Sequence, residues 1–260
     1  VSPSATLPML LDYAMENNFA ILRSKEQIEE QEGLIVEIKS AVLPNAAVNA
    51  NYSNRDEDLA VFGGPGGGAT ESWAVDLTVS QLLYSGGGVR ASLEAQRFAR
   101  EAVRHALEAT LAEVIFQVRS SYYEALLARE QIEVEEGNIE FLQEQLKIAE
   151  DRFEANTVSR FDVLRAEVEL ANAQPPLIRA RNRYRITIDR LFQTIGYQPA
   201  TNPAYDGTEI MGELTYEPVE YEIRSAIDRA FKDRPELRRL DTVIKAREAG
   251  VDVAKAGYYP

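Results

Sequence analysis

The amino-acid sequence predicts a mainly α fold with one β-hairpin. Long antiparallel coiled-coil helices would form a subunit of an α-helical barrel, and two strands would be of membrane-barrel length. Three observations predict these helices and strands. No proline interrupts residues 89–152. Two segments, 46–54 and 73–80, alternate with period two. The helical pattern at the start of the chain returns 216 residues later.

The first helix is predicted over about 7–42. Leu11, Ala14, Ile21, Ile28, Ile35 and Ile38 recur at helical spacing, and Pro44 stops the run. The period then changes to two. Val48, Ala50 and Tyr52 share one face of the first strand, and Asn49, Asn51 and Ser53 share the other. In the second strand Trp73, Val75, Leu77 and Val79 oppose Ala74, Asp76, Thr78 and Ser80. Residues 55–72, with the run GGPGGG at 63–68, read as a long loop closing a hairpin. Strands of about 8–11 residues can cross a bilayer at a tilt of about 45°. Tyr52 and Trp73 lie toward the loop and Tyr84 beyond the other end, which fits aromatic belts at two interfaces. A soluble hairpin packed on a core would produce the same alternation, so the pattern alone leaves both readings open.

After Gly86-Gly87-Gly88, residues 89–152 predict a rod of roughly 96 Å at the helical rise of about 1.5 Å per residue. Val103, Leu107, Leu111, Val114, Val118, Tyr122 and Leu126 step mostly by four, which predicts a nearly straight section. Ile139, Leu142, Leu146, Ala149 and Phe153 step by three and four, a heptad that supercoils left-handedly. Gly137-Asn138 marks local looseness, at a cost of about 1 kcal/mol of helix propensity. Residues 154–160 predict a reversal at Asn156, with Ser159 capping the next helix and Asp162 in its first turn. The returning helix would end at Gly196. Phe161, Leu164, Val168 and Ala171 form its first seam, and Leu177, Tyr184, Ile188, Leu191 and Ile195 form a shifted second one. Pro175-Pro176 at the shift predicts a kink or break. Residues 197–218 read as irregular, with room for short strands.

Bulk composition removes several functions. The net charge of −14 argues against nucleic acid and against docking on anionic head groups. Without cysteine there are no disulfides, thiolate metal sites or cysteine nucleophiles. No run approaches 18 apolar residues, so no transmembrane helix is expected. Residues 1–8 lack the basic and apolar parts of a signal peptide, so an exported protein would be seen in its mature form. His105 is the only histidine and sits inside the long rod, where a solvated or helix-interface role is expected. Glu133, Glu135 and Glu136 read as a charged helix face, and the glycine runs lack the lysine of a phosphate loop. No enzyme, cofactor or metal site is expected.

At the offset of 216, Asp12/Asp228, Ala14/Ala230, Arg23/Arg239, Ile28/Ile244, Glu32/Glu248, Lys39/Lys255 and Pro44/Pro260 are identical without a gap. A second copy thus starts near residue 221 and stops where its own hairpin would begin. Five stretches then carry a family resemblance: LLDYAMENNFAILRSKEQI with its A-x-x-x-N core, AVLPNAAVNANYS, LTVSQLLYSGGGVRASLEAQ, the long segment 122–173, and AFKDRPEL. In this order they resemble the TolC-like outer-membrane efflux family across almost the whole chain. The implied organisation is a first periplasmic helix at 1–44 and an outer-membrane hairpin at 45–85 with extracellular loop 55–72. A helical hairpin follows at 86–196 with its periplasmic tip near 154–160, then an equatorial segment at 197–220 and a truncated second repeat at 221–260.

The resemblance implies a homotrimer in the full-length protein, located in the outer membrane of a Gram-negative bacterium with a large periplasmic portion. It would export small molecules or proteins with a periplasmic adaptor (membrane fusion) protein and an inner-membrane pump. Ala155, Asn156 and Thr157 would form the adaptor-contacting tip, and Asp162 would belong to the periplasmic gate. Asn49, Asn51, Ser53, Asp76, Thr78 and Ser80 would face the lumen. Tyr52, Trp73, Val75, Leu77, Val79 and Tyr84 would face lipid or its aromatic belt. The alternative reading is a soluble periplasmic coiled-coil scaffold or adaptor protein without a pore.

Overall fold

A computed structural model describes residues 4–54, 71–197 and 209–259. In chain order the elements are β1 (Ser4–Ala5), α1 (Leu7–Asn17), α2 (Phe19–Ser40), β2 (Asn45–Asn54), β3 (Glu71–Ser80), α3 (Gly88–Glu154), α4 (Arg160–Ile195), β4 (Glu209–Ile210), α5 (Ile223–Asp233) and α6 (Pro235–Ala256). The chain divides into two compact units. One holds Val1–Gln27 and Arg104–Leu237; the other holds Ile28–Val103 and Arg238–Pro260.

The first unit is built on one apolar cluster. Leu10, Ala14 and Ile21 meet Val114, Val118, Tyr122 and Leu126 of α3, Leu191 and Ile195 of α4, and Ala5 and Ile210 of the two short strands. Each large aliphatic buried here contributes about 1.5–3 kcal/mol. A smaller cluster of Ile139, Ala173 and Leu177 lies farther along α3 and α4. β1 and β4 pair in parallel, Ser4 with Glu209 and Ala5 with Ile210. Two side chains of α3 hold the carbonyls that follow. Arg129 donates to Ile210 and Gly212 at 2.9 and 2.8 Å, and the Tyr122 hydroxyl donates to Met211 at 2.5 Å. Burial pushes the Tyr122 phenol above its usual pKa.

The predicted single first helix is two helices. Asn18 leaves helical geometry with ψ 127°. Its N–H bonds to Ala14 and ends α1, while its Oδ1 accepts from the N–H groups of Ala20 and Ile21 and starts α2. Its Nδ2 donates to the Thr194 carbonyl in the last turn of α4, at 2.6 Å. Beside it, Gly196 closes α4 at φ 79°, and a Cβ there would strike the Asn17 backbone.

The second correction concerns Pro175 and Pro176, which do not break α4. The carbonyls that lose their bonds belong to Ala171 and Asn172, both exposed, so water can satisfy them. The flanking Ala173, Leu177 and Ala180 are buried and hold the helix in place. The predicted seam of Phe161, Leu164, Val168 and Ala171 is exposed instead, and the packed face carries Val163 and Ala173. Helix α3 likewise runs without interruption through Gly137-Asn138.

Between α3 and α4 the chain reverses as expected. Asn156, at φ 55°, is the one non-glycine described residue with positive φ. Asn156 N–H bonds to the Phe153 carbonyl and Thr157 N–H to the Arg152 carbonyl, both at 2.9 Å. This paired closure is the Schellman motif. The Thr157 hydroxyl also donates to the Arg152 carbonyl at 2.8 Å. Ser159 then caps α4, and Asp162 reaches back to accept from the Ser159 N–H at 2.9 Å and its hydroxyl at 2.7 Å.

In the second unit, Gly86 and Gly87 turn the chain from the hairpin into α3 with φ of 60° and 84°. A Cβ on Gly86 would strike the Ala256 carbonyl at the end of α6, so this turn needs glycine twice over, for conformation and for space. Gln96 donates to Gln31 at 2.8 Å between α3 and α2.

The repeat is reproduced residue for residue in the element boundaries. Adding 216 to α1 gives α5, and adding 216 to α2 gives α6. Arg234 repeats the Asn18 break at ψ 121° and bonds to Ala230 as Asn18 does to Ala14.

Two outcomes follow. Asn18→Ala removes a cap and strands the Thr194 carbonyl, so stability should fall by about 2 kcal/mol in denaturant unfolding. An unchanged midpoint would mean that the junction does not depend on this side chain. At the tip, hydrogen bonds from the Ser159 hydroxyl and then its N–H hold the Asp162 carboxyl below the usual carboxylate range. The lowered value means that the cap is fully formed above the unfolded pKa, about 3.9, and is lost as pH falls through the folded one. NMR titration should show Asp162 protonating below that range in the wild type and moving up in Ser159→Ala.

Candidate functional site

The hairpin β2–β3 pairs ten residues on each strand, from Asn45↔Ser80 to Asn54↔Glu71. Directly opposed side chains share a face. One face carries Tyr52 opposite Trp73, Ala50 opposite Val75, Val48 opposite Leu77, and Ala46 opposite Val79. The other carries Asn49 opposite Asp76, Asn51 opposite Ala74, Ala47 opposite Thr78, Asn45 opposite Ser80, and Ser53 opposite Ser72. The expected division of Asn49, Asn51, Ser53, Asp76, Thr78 and Ser80 from Tyr52, Trp73, Val75, Leu77 and Val79 is therefore present in the register. Sequence reading passed over Asn45 and Ser72, which extend the polar row at both ends; the strands begin earlier than their clean alternation.

Every residue of both strands is exposed within this chain. Trp73 is 80% accessible and Leu77 69%, so no described residue packs over this face. On the polar face, Asn49 Nδ2 donates to Asp76 Oδ2 at 3.0 Å, joining the two strands at mid-height. Tyr84 follows β3 outside the sheet and is exposed. The long loop's residues 55–70 lie outside the described residues.

The structure brings Ala155, Asn156, Thr157 and Asp162 together at the turn between α3 and α4, all of them exposed. Arg160 stands over the Phe153 ring at 5.9 Å and approaches Glu167 at 3.6 Å. Asp162 bonds to Ser159 of its own turn.

The Tyr122–Arg129 clamp on residues 210–212 escaped sequence reading. Its one sequence signal is a seven-residue spacing on one face of a long helix. His105 contacts Glu108 at 3.4 Å, one turn away. Among the described residues no three His, Cys, Asp or Glu side chains gather as metal ligands. No described helix is long and apolar enough to cross a membrane.

The whole arrangement has close parallels. CyaE of Bordetella pertussis is 24% identical over 251 residues, covering 96% of this chain and 51% of its own length. The CusC structure, described in terms of transmembrane channel formation, superposes with TM-score 0.75 at 16% identity, covering 97% of this chain and 57% of CusC. The CmeC outer membrane channel of Campylobacter jejuni gives TM-score 0.72 at 17% identity, covering 96% and 52%. These structures share the fold, and the chain spans about half the length of the curated relatives it matches. The family model for outer membrane efflux proteins matches residues 10–197, from α1 through the hairpin to the end of α4. On that match, with the TolC-like fold behind it, the chain belongs to the outer membrane efflux protein family.

Proposed function

We propose that this chain is part of a subunit of a trimeric outer-membrane channel-tunnel. The channel would export small molecules or proteins as the exit duct of a tripartite efflux or type I secretion system. The observation that carries the reading is the hairpin: two ten-residue strands, one face apolar, one polar, both uncovered. Two strands alone are marginal in water, and their outer edges leave backbone groups unpaired in lipid. Closure with further hairpins satisfies both demands at once.

In that cylinder Val75, Leu77 and Val79 face lipid, with Tyr52, Trp73 and Tyr84 at the interfaces. Asn49, Asn51, Ser53, Asp76, Thr78 and Ser80 line the lumen. Helices α3 and α4 extend into the periplasm, where Ala155, Asn156 and Thr157 meet an adaptor protein that links the channel to an inner-membrane pump. Asp162 contributes to closing that end. A pore-free scaffold would have no use for an uncovered apolar row of this length.

Substitutions on opposite faces test the orientation in the full-length protein. Leu77→Arg puts a charge near mid-bilayer and should cost about 2–4 kcal/mol of barrel stability. It should reduce heat-modifiable oligomer in the outer-membrane fraction, while Thr78→Arg should assemble normally. Equal assembly of both variants would place neither face in lipid. Asp76→Asn should lower cation preference, read from the reversal potential across a salt gradient in a planar bilayer. Unchanged selectivity would remove Asp76 from the lumen.

A further inference from the structure

Helix α4 concentrates positive charge in an acidic chain. The net charge is −14, yet five of the twelve residues from Arg179 to Arg190 are arginine and one, Asp189, is acidic. Arg181 is paired with Glu136 at 2.6 Å. Arg179 and Arg183 are exposed and have no ion pair among the described residues. They lie one turn apart on one face of the helix, where like charges repel.

These two arginines line a groove of about 450 Å³ between α3 and α4. Glu124 and Gln131 stand on its α3 side, and Arg190 approaches Glu124 at 3.9 Å. Ile186, 55% accessible, and the buried Ala128 give the groove an apolar stretch. A guanidinium pairs with a carboxylate, sulfonate or phosphate through its planar fork, and two of them one turn apart can hold one oxyanion. Ile186 then offers contact to an apolar body attached to that oxyanion. A bare inorganic anion would leave this contact unused.

At about 3.6 residues per turn, Glu124, Ala128 and Gln131 lie on the side of α3 roughly opposite Tyr122 and Arg129. Those two hold the carbonyls of residues 210–212. The non-helical segment therefore lies on one side of α3, and the arginine groove opens toward the other. A tunnel keeps its bore clear only if such added segments lie outside, which puts the groove inside. We propose that the groove is a lumenal transit site for small organic anions in which an oxyanion is joined to an apolar body. Its place in the lumen rests on the channel reading above, and its chemistry rests on the groove itself. An acidic tunnel repels anions, so fixed guanidinium groups along its wall give this class of solute a foothold that the net charge denies it.

The probe is para-trifluoromethylbenzenesulfonate, followed by its fluorine NMR linewidth against the full-length protein in non-ionic detergent. The line should broaden saturably. Arg179→Gln together with Arg183→Gln should weaken binding about tenfold, the loss expected for charge-assisted hydrogen bonds, while the heat-modifiable oligomer is retained. Equal binding by wild type and variant would overturn the site. Competition at equal strength by inorganic sulfate, or by the neutral para-trifluoromethylbenzyl alcohol, would overturn the ligand class. In a planar bilayer the same sulfonate should reduce the wild-type current and spare the double variant. Binding in the NMR experiment without block of an open pore would put the groove on the outer wall and overturn the lumenal placement. Binding with no pore at all would sink the channel reading, and the lumenal placement with it, while the anion site stands.

Discussion

The hairpin poses the constraint that the rest of the structure answers. Its strands satisfy each other along one edge only. The apolar row of Val48, Leu77, Ala50 and Val75 has no covering element among the described residues. A sheet in that condition must either gain partners or aggregate. Closure into a barrel removes the open edges, and lipid receives the apolar row without further protein. The cost of such a design is that no single hairpin is stable alone. The chain must therefore hold its strands ready by other means. Gly86-Gly87 provides one of them, a turn fitted so closely against the end of α6 that a single added carbon would collide.

Asn18 plays a comparable part in the first unit. One residue ends a helix with its backbone N–H, and its side chain starts the next and fastens the junction to the last turn of α4. The A-x-x-x-N spacing then has a physical meaning. Ala14 is small enough to be buried against the core while its carbonyl receives the Asn18 N–H. The second copy makes the same bend with different chemistry. The Arg234 side chain has no acceptor to offer the next helix, and Pro235 begins α6 with a preset φ and no N–H to satisfy. The bend is retained while the side chain that makes it has changed.

Most of the architecture was legible because its signals are local. Alternation set the hairpin faces, an unbroken apolar rhythm set α3, and Asn156, Ser159 and Asp162 set the tip by ordinary capping chemistry. The misses are cases where distant contacts decide. The rhythm of Ala14 and Ile21 continues through Asn18, so the periodicity does not announce the break, and the bond that fastens it to α4 reaches the Thr194 carbonyl 176 positions away. Pro175-Pro176 reads as a breaker by propensity, yet packing at Ala173 and Leu177 overrides it. The pairing of β1 with β4 joins two dipeptides too short to have any period. At the candidate site the sorting of faces was visible in advance, whereas the Asn49–Asp76 hydrogen bond required the register.

The misplaced seam on α4 carries a further consequence. Val163, Ala173, Leu177 and Ala180 are buried within the chain, while Phe161, Leu164 and Val168 form an exposed row at steps of three and four on another side. α3 repeats the pattern: Ile139 is buried, and Leu127, Val134, Phe141 and Ile148 are exposed at intervals of seven. A helix packed round a filled core needs one apolar stripe. A helix with two stripes has neighbours on two sides, as a plank in a wall does. Both helices of the hairpin have this second stripe, so each can accept a further helix without giving up its partner. Side-by-side extension of that kind closes on itself as a ring when the contacts run head to tail. The helices therefore pose the same kind of demand as the strands, a further partner beside each open face.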